Sequence, residues 1–149
     1  MANQKEGKAP MSRMIFVNLP VTDLARSIAF YEAAGATQNP QFSDARTMCM
    51  VFSDTIYVML LTHSRFAEFT ARPIADAHAS VQVLLALSAD DAAQVDTVVD
   101  AAGAAGGQAD PNPKQDLGFM YGRSVADPDG HIWEVTWLDV EAATAEHAA

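Results

Sequence analysis

At 149 residues, half of them apolar, the chain is about one domain long and can bury a sizeable core without staples. Nineteen acidic against nine basic residues give a net charge of -10, which disfavours nucleic acid or an anionic membrane as a partner. The single cysteine, Cys49, has no partner for an internal disulfide; within the apolar run 47–52 it reads as a small buried hydrophobe, which suits a reducing, cytoplasmic location.

Residues 1–12 carry Lys5 and Lys8 but no apolar stretch, so they read as a flexible tail rather than a secretory leader. Nowhere does an apolar run approach the roughly 20 residues that would cross a bilayer. An extended segment over 14–20 is expected to end at Pro20. The helix that follows can be capped by Thr22 or Asp23; Leu24, Ile28 and Tyr31 recur at helical spacing, and Gly35 supplies a left-handed stop. Three strand-like runs come next, near 36–42, 46–52 and 55–62, with Ser53-Asp54 as a turn. A crossing loop over 63–80 mixes charged, aromatic and proline residues around a helical turn at 65–69. The second part repeats the order: a strand near 81–87, a helix near 90–102 with Val95, Val98 and Val99 inward and Gly103 as its stop, then strands near 104–110, 119–126 and 131–138. Residues 140–149 read as a C-terminal tail.

The repetition is explicit. Residues 15–36 and 83–104 align without a gap at a constant offset of 68: each begins with an apolar run, passes an aspartate (Asp23, Asp91), continues helically and ends in Ala-Ala-Gly-Ala. One supersecondary unit is used twice. The most specific local signal is Asp127-Pro128-Asp129-Gly130, where proline presets a type I turn and glycine accepts the left-handed position of a G1 bulge.

The doubled unit, the run from Leu19 to Glu32 (LPVTDLARSIAFYE) and the closing run from Asp127 to Glu134 (DPDGHIWE) resemble the vicinal oxygen chelate superfamily, which includes glyoxalase I, extradiol dioxygenases, bleomycin-resistance proteins and methylmalonyl-CoA epimerase. With Gly118 to Ser124 (GFMYGRS), the closing run looks most like a bacterial branch of predicted lactoylglutathione lyases. The resemblance covers about residues 14–139. It implies an α+β fold: one domain over 13–139, with two tandem βαβββ modules (about 14–62 and 81–138, joined by the loop 63–80) forming cupped mixed sheets around a cleft with helices outside. It also implies a homodimer and a small-molecule ligand. In the family's enzymes a divalent metal is held from the first and last strands of each module. Carried onto this chain, those positions are Phe16, about Leu60, Leu84 and Glu134, and only Glu134 can bind a metal. The expectation is therefore no metal and no other cofactor, unless a relocated site joins His63, His78 or His131 to Glu134.

Strand alternation puts Ile132, Glu134 and Thr136 on one face and Trp133, Val135 and Trp137 on the other. With a G1 bulge Glu134 faces Ser124 and Arg123 lies on the tryptophan side; with a plain two-residue loop Glu134 opposes Arg123 as a cross-strand ion pair. The glycine's placement favours the bulge. By the same parity the cleft is lined by Phe16 and Asn18; Val58, Leu60 and Thr62; Gln82, Leu84 and Ala86; and Met120, Gly122, Ser124, Glu134 and Thr136, with His63 at its rim. Three functions compete. The first is metal-free binding of a small, largely apolar molecule in the manner of a bleomycin-resistance protein. The second is a glyoxalase-type lyase or isomerase with Glu134 as the catalytic base. The third is extradiol ring cleavage, which needs iron.

Overall fold

The computed structural model describes residues 12–148, so the expected leading tail falls, but for Ser12, outside it. Module one is β1 (Ile15–Val21), α1 (Leu24–Ala33), β2 (Thr37–Asp44), β3 (Thr47–Ser53) and β4 (Ile56–Thr62); a short α2 (His63–Phe66) opens the crossing segment. Module two is β5 (Leu85–Ser88), α3 (Ala92–Ala104), β6 (Gln108–Ala109), β7 (Gln115–Asp116), β8 (Met120–Ala126) and β9 (Ile132–Leu138). The strands form two mixed sheets, ordered β1-β4-β3-β2 and β5-β9-β8-β6, with β7 also on β8. In each sheet the first strand pairs in parallel with the last, and the other pairs are antiparallel. The fold is α+β, and the 68-residue repeat is visible in its topology.

Capping fixes where the helices begin. The Asp23 and Asp91 side chains accept from the backbone N–H groups of Arg26 and Gln94, at 3.1 and 2.7 Å. Gly35 ends α1 with φ at 105°. The equivalent Gly103 does not end α3, which continues to Ala104; the left-handed residue is Gly106, with φ at 97°. Gly103 serves close packing instead, since a Cβ there would lie 3.0 Å from that of Ala109. Pro20 does not end β1 either. The strand runs on to Val21, because β1 is an edge strand and no neighbour requires the missing N–H. The segment read as a C-terminal tail is helical, α4 (Val140–Ala148). Among the described residues no helix is long and apolar enough to cross a membrane.

A single core joins the modules. Leu19, Val21, Met50, Val58 and Leu60 from the first sheet and Val125, Trp133 and Val135 from the second pack with Phe30 and Tyr31 of α1 and Val95, Val99 and Ala102 of α3. Phe52 of β3 meets Trp133 of β9 at 5.6 Å between ring centroids, with Tyr31 edge-on to both. The helix-covered faces of the two sheets therefore turn toward one another across that shared core, so the helices lie on the far side of each sheet from its free face. The opposite, helix-free faces point away from it and do not close on each other within one chain.

Polar groups complete the junction. Trp133 Nε1 donates to the Tyr31 hydroxyl at 3.0 Å, and that hydroxyl donates to the Asp127 carboxylate at 2.7 Å. Asp127 is buried and also accepts from the N–H groups of Asp129 and His131, both at 2.9 Å. Burial pushes the Asp127 carboxyl above the usual aspartate range, and burial followed by the Asp127 charge pushes the Tyr31 phenol well up. Asp129, beyond the turn, accepts from the Thr22 N–H and hydroxyl at 2.9 and 2.8 Å, tying the closing hairpin to the start of α1.

Candidate functional site

The closing hairpin sets the register of the second sheet's free face. Gly130 has φ at 92°, its N–H donates to the Asp127 carbonyl at 3.0 Å, and the Asp127 N–H donates to the His131 carbonyl at 2.9 Å. The extra residue is the expected G1 bulge. It places Ser124 opposite Glu134, Gly122 opposite Thr136 and Arg123 opposite Val135. Glu134 thus lies on the helix-free face, while Arg123 lies on the tryptophan side.

Arg123 meets carboxylates there. Its guanidinium bonds Asp110 twice, at 2.9 and 2.7 Å, and Asp96 and Asp100 once each at 2.9 Å. The Tyr121 hydroxyl donates to Asp96 at 2.7 Å. Hydrogen bonds from Tyr121 and Arg123 hold the Asp96 carboxyl below its ordinary value, and Arg123 does the same to Asp110. This network pins the turn after β6, where Asp110 adopts φ 56°, and so sends the chain back over the free face. There the Asn112 N–H donates to the Ser124 hydroxyl at 3.0 Å, and that hydroxyl faces the Asn112 carbonyl at 3.4 Å.

The result is a depression of about 280 Å³ lined by Asn112, Gln115, Gly122, Ser124, Glu134 and Thr136. Gly122 makes room at its floor: a Cβ there would come within 3.1 Å of the Thr136 hydroxyl. Glu134 is half-buried, and among the described residues its carboxylate makes no hydrogen bond or ion pair. A carboxylate so placed is ready to accept from a ligand N–H or O–H, and the neighbouring amides and hydroxyls offer both donors and acceptors.

The remaining expected site residues are dispersed. Phe16 and Asn18 lie on the free face of the first sheet, where Phe16 stacks on Tyr57 at 4.7 Å between ring centroids. Leu84 is exposed just before β5, and Met120 sits on the Glu134 side of β8. Leu60 and Val58 are corrected outright: both are fully buried on the helix side, paired with Leu19 and Val17, and Thr62 pairs with the buried Val21 on that same side. The free face of β4 carries Tyr57, Met59 and Leu61 instead. The sequence misled here because β4 is apolar on both faces, so alternation carried no signal; only its parallel pairing with β1 fixes the parity. Thr62 caps α2, accepting from the Arg65 N–H at 3.4 Å. His63, His78 and His131 line a different cavity, and His131 Nε2 donates to the Pro20 carbonyl at 2.9 Å. None lines the Glu134 depression. Asn112 and Gln115 went unrecognised as site residues because they follow no strand pattern, and it takes the Arg123 network to fold them over the sheet.

A divalent metal fits this donor set poorly. Phe16, Met59, Leu61 and Leu84 offer no nitrogen or oxygen side-chain ligand, and among the described residues no three His, Cys, Asp or Glu side chains are grouped to hold a metal ion.

Residues 13–135 match the model of the Glyoxalase/Bleomycin resistance protein/Dioxygenase superfamily, and the chain belongs to that family. Hypothetical protein SA1046 from S. aureus is 25% identical, with a TM-score of 0.71 over 86% of this chain and 95% of its own. A glyoxalase-related enzyme from Fulvimarina pelagi is 22% identical, with a TM-score of 0.70 over 85% and 88%. The bleomycin resistance determinant encoded on the transposon Tn5 is 22% identical, with a TM-score of 0.59 over 86% and 99%. No curated protein matches the chain.

Proposed function

We propose that the protein is a metal-independent small-molecule-binding member of this family whose ligand is anchored by Glu134. The observation that carries this reading is the Glu134 carboxylate, without a partner among the described residues, in a polar depression of about 280 Å³, close to the size of ordinary ligand pockets. One face alone leaves a ligand half exposed. Met14, Ile15, Phe16 and Leu84, 43 to 55% exposed, leave apolar surface near the free faces. A second copy, presenting its Phe16–Tyr57 stack to the Glu134 face, would bury that surface and supply the apolar wall that the depression lacks. The protein is accordingly read as a homodimer binding a ligand with a hydrogen-bond-donating head and an apolar body.

The same free carboxylate also fits a proton-transferring base in a lyase or isomerase of the glyoxalase type. A thermal-shift screen in the presence of a chelator, against a thiol adduct, an aromatic acid and a glycopeptide antibiotic, separates the outcomes. Stabilisation by one class that survives chelation and is lost in Glu134→Gln supports the binding reading. Turnover of the thiol adduct that is lost in the same variant assigns Glu134 as base. Stabilisation only when a divalent metal is supplied overturns the metal-independent reading.

A further inference from the structure

The segment crossing between the modules is held down tightly. A Cβ on Gly130 of the closing turn would lie 2.7 Å from the His78 amide nitrogen, so the turn touches the segment's backbone directly. Asp76 accepts from the His78 N–H at 2.9 Å, and its carbonyl accepts from Ala79 and Ser80. Two cavities open beside this anchored stretch. One, of about 560 Å³, is mainly apolar, with Leu19, Phe66, Ile74, Val83 and Ile132 in its wall and Arg72 as the one charged side chain among its lining residues. The other, of about 640 Å³, gathers Arg26, His63, His78 and His131. Pro20, Ile74, Ala75, Ala77 and His131 line both, so the two adjoin.

The apolar cavity differs from its neighbour in having no carboxylate in its lining. In a chain of net charge -10, that lining holds a single charged side chain, Arg72. Arg46, Arg65 and Arg123 are neutralised by carboxylates, whereas Arg26 and Arg72 make no ion pair among the described residues. The larger cavity sets Arg26 against Asp76 and Asp129, so the anion-accepting group is the Arg72 of the apolar one. An apolar slot whose one charged lining side chain is an arginine without an ion pair among the described residues is complementary to an amphipathic anion.

We infer that the module junction is a second ligand site, taking an alkyl or aryl carboxylate with its apolar chain along Leu19, Ile74, Val83 and Ile132 and its carboxylate at Arg72. It shares no lining residue with the Glu134 depression, so it stands or falls separately from the function proposed above.

Calorimetric titration of the full-length protein with octanoate, and with 1-octanol as the uncharged control, tests it. The expected result is saturable octanoate binding, at least tenfold weaker binding of octanol, and unchanged octanoate affinity in Glu134→Gln. Arg72→Gln should weaken octanoate about tenfold, the scale of one charge-assisted hydrogen bond. Val83→Asp, at a position 58% exposed and so compatible with folding, should abolish binding by placing a carboxylate in the slot. The inference is overturned by an absence of saturable binding, by equal affinity for octanol, or by loss in Glu134→Gln with Arg72→Gln unaffected. Conversion of a dimer to a monomer by Val83→Asp would overturn it too, because the slot would then belong to a second copy.

Discussion

Replacing Arg123 by alanine should cost about 3 kcal/mol, and the figure follows from who shares its guanidinium. The side chain is 6% exposed and makes four hydrogen bonds, two of them in a fork to Asp110. Asp96 and Asp100 are 49% and 67% exposed, so water replaces the arginine at both and their share is small. The fork to Asp110, which is 31% exposed, carries most of the loss, about 1.5–3 kcal/mol for hydrogen bonds to a charged group. Burial of the aliphatic stem adds about 1 kcal/mol. For a chain of this size that corresponds to a fall in Tm of roughly 6–12 °C. Arg123→Met keeps the stem and should recover about 1 kcal/mol. The pH dependence has a definite sign. Asp96 and Asp110 titrate below the ordinary value of 3.8 in the folded protein, so their contribution is complete above that value and lost as pH falls through the lower folded ones. Urea unfolding of wild type and variant should show the full gap near neutral pH and a shrinking one below about pH 4. A gap under about 1 kcal/mol, or one equal at neutral and acid pH, would refute the argument.

Tyr31→Phe removes the hydroxyl that joins Trp133 to buried Asp127 and should cost about 1–3 kcal/mol, read by the same unfolding curves with tryptophan fluorescence as the probe. Gly130→Ala meets both a φ of 92° and a Cβ 2.7 Å from the His78 nitrogen; a loss of about 2–4 kcal/mol is expected, and a loss below about 1 kcal/mol would mean that the crossing segment yields easily. Phe16→Ala should cost only about 1 kcal/mol in a monomeric state, since the ring is 47% exposed and retains chiefly its stack on Tyr57, and it should cost more at concentrations where a dimer forms.

How far the sequence led can be traced to particular residues. The 68-residue offset anticipated two equivalent helices and the common sheet topology, because the same local signals recur at both places; Asp23 was one of two caps open for the first helix, while the second, expected from residue 90, starts only after its cap Asp91. The glycine in Asp127-Pro128-Asp129-Gly130 selected the bulged register, and with it the face of Glu134, because only that turn uses a left-handed residue in that position. Leu60 was misplaced because a strand apolar on both sides contains no parity. The packing of Phe52 on Trp133, which turns the two free faces apart, is a contact between modules 81 residues apart in sequence and leaves no mark on any local pattern. The Arg123 cluster was likewise hidden, since Asp96, Asp100 and Asp110 meet only once α3 lies against β8.

The central claim, that ligand binds on the Glu134 face, is tested most directly by mapping backbone amide shifts of the chelator-treated protein as a ligand that stabilises it in the thermal screen is added. The account predicts that the shifts cluster at Asn112, Gly122, Ser124, Glu134 and Thr136, with a second set at Phe16, Asn18 and Tyr57, and that both sets vanish in Glu134→Gln. Shifts confined to helix-side residues, or a pattern unchanged in Glu134→Gln, would contradict it.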